Sequence, residues 1–290
     1  MKKHPLNRRI RLAGLALATG AALTAGAAQA QDKGTVHLAY VEWSSEVAST
    51  NVVRAVLEQA GYEVDMTSLS AAAMWQAMGS GDADAMVAAW LPTTHADYLD
   101  RVRDNVEDLG VNLDGTKLGL VVPGYVEADS IRDLNDHADA FNGEIIGIDP
   151  GAGLMSLTEE VVDTYDLDLR LRSGSDATMV AALASAINNE EPIVVTSWTP
   201  HWMFASWDLK YLEDPEGVYG GAEQIHTIVR QGLADDMPEA YAILDAFEWT
   251  PEQMGEVMLM NQEDGADPYE NAKQWVEQNQ DVVQSWLGES

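Results

Sequence analysis

Cysteine is absent from the 290-residue chain, phenylalanine occurs three times, and 16 lysines plus arginines face 48 aspartates plus glutamates, a formal charge of −32. Each shortage removes a class of protein. Without cysteine there is neither a disulfide framework nor a thiolate zinc site. With so few bases there is no surface to neutralise phosphates, so nucleic acid is excluded as a partner. After residue 30 no run approaches the roughly 18 uninterrupted apolar residues of a membrane helix. No histidine pair has metal-ligand spacing and no G-x-S-x-G elbow occurs, so no metal, no cofactor and no enzymatic activity are expected. What is present is a 46% apolar content spread along the chain, including nine tryptophans. That suffices for a core, in one large domain or two modest ones.

The first thirty residues read as an export signal. Lys2, Lys3, Arg8, Arg9 and Arg11 form a positive head, Leu12 to Leu23 an apolar stretch, and Ala28-Gln29-Ala30 a cleavage site. Arg8-Arg9 raises a twin-arginine route without deciding it. No cysteine follows for lipid attachment, so cleavage after about Ala30 is expected to leave a protein free in the periplasm. Five of the 16 bases lie in this segment, so the remainder carries 11 against 48 acids, a formal −37.

Beyond it, strand-like and helix-like runs alternate. TVHLAYV (35–41) reads as a strand, 45–60 as a helix stopped at Gly61, and EVDMTSL (63–69) as a strand. A helix then runs through Met78 to a stop at Gly79 and Gly81, before AMVAAW (85–90), a strand apolar on both faces. A second series begins near residue 126, with strands at 145–149, 169–173 and 192–198 and helices at 154–165 and 177–189. From about 237 the chain reads as helical, including Pro268 to Leu287. Such alternation predicts an α/β fold with parallel strands. MWQAMGSGDADAMVAAWLPTTH (74–95) and MVAALASAINNEEPIVVTSWTPHW (179–202) echo each other as helix, break, buried strand, W-x-P. Two lobes of similar architecture are expected, residues 31–122 plus 222–290 and residues 123–221, with crossings near LVVPGYV (120–126) and GVYGGAEQ (217–224).

In open α/β sheets ligands sit at the carboxyl ends of strands. Three of those ends carry tryptophan, at Trp43, Trp90 and Trp198, and a fourth runs through Gly151 and Gly153 into a helix start. Indole faces attract a quaternary ammonium that has no hydrogen to donate. The PGAGL turn offers backbone N–H groups where the helix dipole favours an anion, and His95, on the loop after Trp90, is a further donor. Alone, each tryptophan reads as core packing, His95 as a helix cap, and the G-A-G turn, which lacks G-x-G-x-x-G and a P-loop lysine, as no support for nucleotide binding. Their coincidence at one edge describes a receptor for a small zwitterion, methylated ammonium at one end and carboxylate at the other. Trp75, Trp249, Trp275 and Trp286 read as packing residues, and His201 and Trp202 as support for Trp198. Asp82, Asp84, Asp235 and Asp236 read as solvated charge in turns.

The segments VEWSSEVASTN (41–51), AAWLPTTH (88–95), IIGIDPGAGLM (145–155) and SWTPHWMF (197–204) together resemble the glycine betaine-binding proteins of ABC importers for compatible solutes. The resemblance implies a two-lobed periplasmic binding protein fold with a hinge and a ligand cleft between the lobes. It places the trimethylammonium in a cage of Trp43 and Trp90 from one lobe and Trp198 from the other. The carboxylate falls to the backbone amides of Gly153 and Leu154 and to His95. It implies a permease and ATPase complex of the inner membrane as partner, and a monomer is expected. Choline, carnitine, proline betaine or dimethylsulfoniopropionate remain alternative ligands, and an exported hydrolase or a membrane-tethered sensor subunit alternative classes. Because such a ligand is neutral overall, the acid surplus reads as a solvated surface suited to strong salt, a halophilic trait.

Overall fold

The computed structural model describes residues 33–288; the export segment expected at residues 1–30 lies outside them. The first series is β1 (Thr35–Tyr40), α1 (Ser44–Gln59), β2 (Glu63–Ser68), α2 (Ala71–Ser80), β3 (Ala85–Leu91) and α3 (Ala96–Val102). A long strand, β4 (Val106–Pro123), leads to the second series: β5 (Glu144–Ile146), α4 (Gly153–Thr164), β6 (Arg170–Arg172), α5 (Asp176–Asn188) and β7 (Val195–Thr199). After α6 (Met203–Ser206) and β8 (Leu209–Tyr211), the chain returns through β9 (Glu223–Arg230). It ends in α7 (Leu233–Asp236), α8 (Pro238–Ala246), α9 (Pro251–Met260), α10 (Pro268–Gln278) and α11 (Gln280–Trp286).

The strands are ordered β2-β1-β3-β9-β4-β7-β5-β6, with β8 beside β4. Read from either end, the roles repeat: an edge strand, its parallel neighbour, the strand that ends in a cleft tryptophan, then a long crossing strand. Within each series the pairing is parallel, as expected. The crossing strands are not, and they correct the all-parallel expectation: β9 runs antiparallel to β3 and β4, and β4 antiparallel to β7 and β8. β4 reads as loop in sequence because Asp108, Gly110, Asp114 and Gly115 interrupt it. In the fold, Gly110 and Gly115 take φ of +101° and +80° where the register with β9 shifts, and the strand continues past them. Between Thr116 and Lys117 it passes from β9 to β7 as partner.

Local chemistry explains several helix ends. Gly81 ends α2 in the left-handed conformation. Gly79, expected to stop that helix, lies inside it; a Cβ there would stand 2.5 Å from Val102 Cγ1, so its role is the close approach of α2 to α3. Ser175, Thr250 and Asp267 accept first-turn amides of α5, α9 and α10. α4 has no such cap, since Ala152 stands at its N-cap. The helix expected to run unbroken to Leu287 breaks at Asn279 between α10 and α11. Every residue of β3 is buried, as its apolar run predicts. Asp84 corrects another expectation. It is buried rather than solvated, accepting from the His37 amide at 2.8 Å and from Arg230 Nε at 2.7 Å, because it enters β3 between β1 and β9.

Candidate functional site

One cavity, with about 310 Å³ of space free of atoms, gathers all six residues singled out in the sequence: Trp43, Trp90, His95, Gly153, Leu154 and Trp198. Ser45, Thr94, Leu118, Ile148 and Ala152 complete its lining. None of these side chains bears a fixed charge.

Trp43 stands at the N-cap of α1 in extended conformation. Its turn is held from beneath by Glu46, whose Oε2 accepts the Val41 amide at 2.7 Å. Glu46 is buried with Oε1 unpartnered, and burial pushes its pKa up to about 8, so the group carries a proton near neutrality. Across the cavity, Trp43 Nε1 donates to Asp149 Oδ2 at 2.9 Å. Trp198, near the end of β7, donates from Nε1 to Ser45 Oγ at 3.2 Å. The Trp43 and Trp198 ring centres lie 6.5 Å apart with planes at 55°. Two of the three indoles are thus each fixed by an acceptor from the other series of elements.

Trp90 ends β3 in a turn that folds back on itself. The His95 amide donates to Trp90 O at 2.9 Å, and the Trp90 amide donates to His95 Nδ1 at 3.1 Å. An accepting Nδ1 places the imidazole proton on Nε2. His95 Nε2 is buried and has no partner among the described residues. Burial lowers the His95 pKa to about 3, so the ring is a neutral donor. His95 occupies the N-cap position of α3, but its side chain makes no capping bond. Glu223, buried at the start of β9, accepts the Thr93 and Thr94 amides at 2.6 and 2.7 Å and the Thr94 hydroxyl, tying this loop to a crossing strand.

Opposite His95, the uncapped start of α4 presents the amides of Gly153 and Leu154, which donate to no group among the described residues. A helix start with free amides favours an anion. Gly153 is glycine for a second reason. A Cβ there would lie 2.2 Å from Thr94 O, on the loop that carries His95. Nearby, Asp176 Oδ2 accepts from the Ser44 amide at 2.8 Å and its hydroxyl at 2.6 Å, while Oδ1 meets His201 Nε2 at 3.1 Å. Burial alone would raise the Asp176 pKa, but the bonds from His201 and Ser44 outweigh it and hold the carboxyl low. His201 also sets its ring edge-on to Trp198, centres 4.8 Å apart, and Trp202 lies against His201. Trp75 is buried beside His95 and Tyr98, and Trp249, between α8 and α9, packs with Trp275 and Trp286 of α10 and α11.

Of the lining residues not singled out, Ser45, Thr94, Ile148 and Ala152 lie inside the quoted motif segments, where their positions beside chosen residues were the available signal. Leu118 comes from β4, and nothing in its local sequence marks it.

A two-series α/β fold with an uncharged aromatic cavity lined from both series is the architecture of a periplasmic binding protein. Residues 34–278 match the family described as the substrate binding domain of the ABC-type glycine betaine transport system, and the chain belongs to that family. The chain is 50% identical over 161 residues to the glycine betaine/carnitine transport binding protein GbuC of Listeria monocytogenes, covering 54% of this chain and 52% of that protein. It thus spans about half the length of that relative. Among solved structures it is similar to lactococcal OpuAC in its closed-liganded conformation with glycine betaine (TM-score 0.84, 45% identity, 88% of this chain and 99% of that one). It is also similar to an ABC-transporter choline binding protein in complex with choline (TM-score 0.82, 30% identity, 88% and 91%). This is a family of transport binding proteins, not of enzymes. No described helix is long and apolar enough to cross a membrane.

Proposed function

We propose that the protein captures glycine betaine, or a closely related methylated zwitterion, and delivers it to an ABC transporter for osmoprotection. The observation that carries this reading is that one cavity joins aromatic faces to uncharged donors. Three indoles line it together with the neutral His95 Nε2–H and the two free amides of α4. Trp43, Trp90 and Trp198 cage the ammonium, and His95, Gly153 and Leu154 hold the carboxylate. The magnitudes agree: three cation–π contacts contribute roughly 2–6 kcal/mol and each bond to a charged carboxylate about 1.5–3. Micromolar affinity needs about −8 kcal/mol after ordering costs.

The lobes in this reading are residues 31–122 with 222–290 and residues 123–221, closing over the ligand before a permease and ATPase complex of the inner membrane accepts it. The protein acts as a periplasmic monomer, released by cleavage near Ala30. Choline, the ligand in one similar structure's name, would leave His95 and the α4 amides unused, which favours a carboxylate-bearing ligand here. A thermal-shift screen of glycine betaine, proline betaine, carnitine, choline and dimethylsulfoniopropionate on the mature protein tests the choice, since ligand binding raises apparent stability. Glycine betaine should give the largest rise; choline exceeding it would overturn the zwitterion reading.

A further inference from the structure

The contact between Trp43 and Asp149 joins an indole of the cavity to the turn that leads into α4. Asp149 lies in the turn between β5 and α4, and its carbonyl accepts the Ala152 amide at 3.0 Å, shaping the segment that presents Gly153 and Leu154. Its side chain accepts Trp43 Nε1 at 2.9 Å. Among the described residues, no other cage indole is bonded to an anion: Trp198 donates to a serine hydroxyl, and no hydrogen bond is made by the Trp90 ring. The bond is made at the edge of the indole, through its N–H, and so does not itself occupy a ring face. A carboxylate drawing on an N–H polarises it and pushes electron density into the ring, which strengthens the negative face that attracts a cation.

We propose that Asp149 is a positioning residue for the ammonium end of the site, orienting Trp43 and enriching its face through the N–H···O bond. This rests on the cage reading above. It also separates two roles within one turn: the backbone of residues 151–154 serves the anionic end, while the side chain of Asp149 serves the cationic end through Trp43. Glycine betaine bound at one end therefore depends on a residue whose own charge never touches it.

A double-mutant cycle with Trp43→Phe, which removes the N–H and keeps an aromatic face, isolates this coupling. Glycine betaine affinity is measured by titration calorimetry for wild type, Asp149→Asn, Asp149→Ala, Trp43→Phe and the two doubles, with melting temperatures to confirm folding. Asp149→Asn, nearly the same shape and still an acceptor, should weaken binding about fivefold, and Asp149→Ala about tenfold. In the Trp43→Phe background both changes should have less than about a twofold effect. Equal losses in both backgrounds, or no loss in the wild-type background, would overturn the inference and leave the cage reading standing. Wild-type protein that binds neither glycine betaine nor choline would overturn the cage reading and the inference with it.

Discussion

Two groups of three tryptophans are buried to the same degree and do different things. Trp43, Trp90 and Trp198 at the cavity, and Trp249, Trp275 and Trp286 among the C-terminal helices and their connections, are all between 2% and 6% exposed. Burial cannot tell them apart; their neighbours can. In the C-terminal group each ring fills its neighbour's space: Trp275 meets Trp249 edge-on at 5.9 Å and stacks with Trp286 at 6.2 Å, while Phe247 closes the other side. Trp275 and Trp286 also satisfy their N–H groups locally, on Glu256 and on the Glu248 carbonyl. At the cavity the rings instead border a pocket, and two of them are held by acceptors from the opposite series of elements. On the proposed reading, the cavity group binds ligand because its rings border free space and two of its edges are fixed from elsewhere.

The largest test of this contrast acts on stability. Trp275→Ala should cost about 3–5 kcal/mol of folding free energy, since it empties the middle of a packed group. Thermal or urea denaturation reads that loss, while the fraction still folded should bind ligand as the wild type does. Next in size is Gly153→Ala, because a Cβ there meets the Thr94 carbonyl, backbone that cannot swing aside. Overpacking of about 1–3 kcal/mol predicts roughly tenfold weaker binding. Gly151→Ala, where a Cβ meets nothing within 4 Å, is the matched control and should bind normally.

The pH dependence of stability sharpens the cavity side of the comparison, since Glu46 and His95 act in opposite senses. His95 falls from 6.5 to about 3 on folding, so between those values the unfolded chain binds the extra proton and stability falls as pH drops. Glu46 rises from 4.5 to about 8, so there the folded chain binds the extra proton and stability falls as pH rises. Between 4.5 and 6.5 the two slopes cancel, which leaves a decline from about 6.5 to 8 that belongs to Glu46. That limb amounts to about 2 kcal/mol at ~1.4 kcal/mol per pH unit. Glu46→Gln should flatten it in denaturation curves taken across the range; an unchanged slope would show that Glu46 is not the group responsible. Salt should matter least. With no fixed charge in the cavity lining, affinity should change less than about twofold between ~0.1 and ~1 M sodium chloride. A tenfold fall would place surface acids in the site.

Much of this arrangement is legible in the chain itself, for identifiable reasons. Trp90 and Trp198 lie near the ends of strands with unmistakable apolar runs, Trp43 follows β1 at the start of α1, and the glycine turn leads straight into a helix, so position along the chain predicts position in space. The crossing strands escape because β4 carries turn residues and is stabilised by β9, β7 and β8, partners distant in sequence. Leu118 escapes with it. His95 is visible as a donor, but its tautomer depends on the Trp90 amide. Gly153 is visible as a turn residue, whereas its contact with Thr94 requires both series to be folded together. The Asp149 and Ser45 acceptors are silent for the same reason.

Side-by-side titration calorimetry of glycine betaine on wild type, Trp90→Ala, Trp198→Ala and Trp275→Ala tests the central contrast most directly. Loss of one cage face predicts about fivefold to thirtyfold weaker binding for Trp90→Ala and Trp198→Ala, with Trp275→Ala matching the wild type in the folded fraction. All three variants weakened alike, or none weakened, would contradict the assignment of the cavity tryptophans to the ligand.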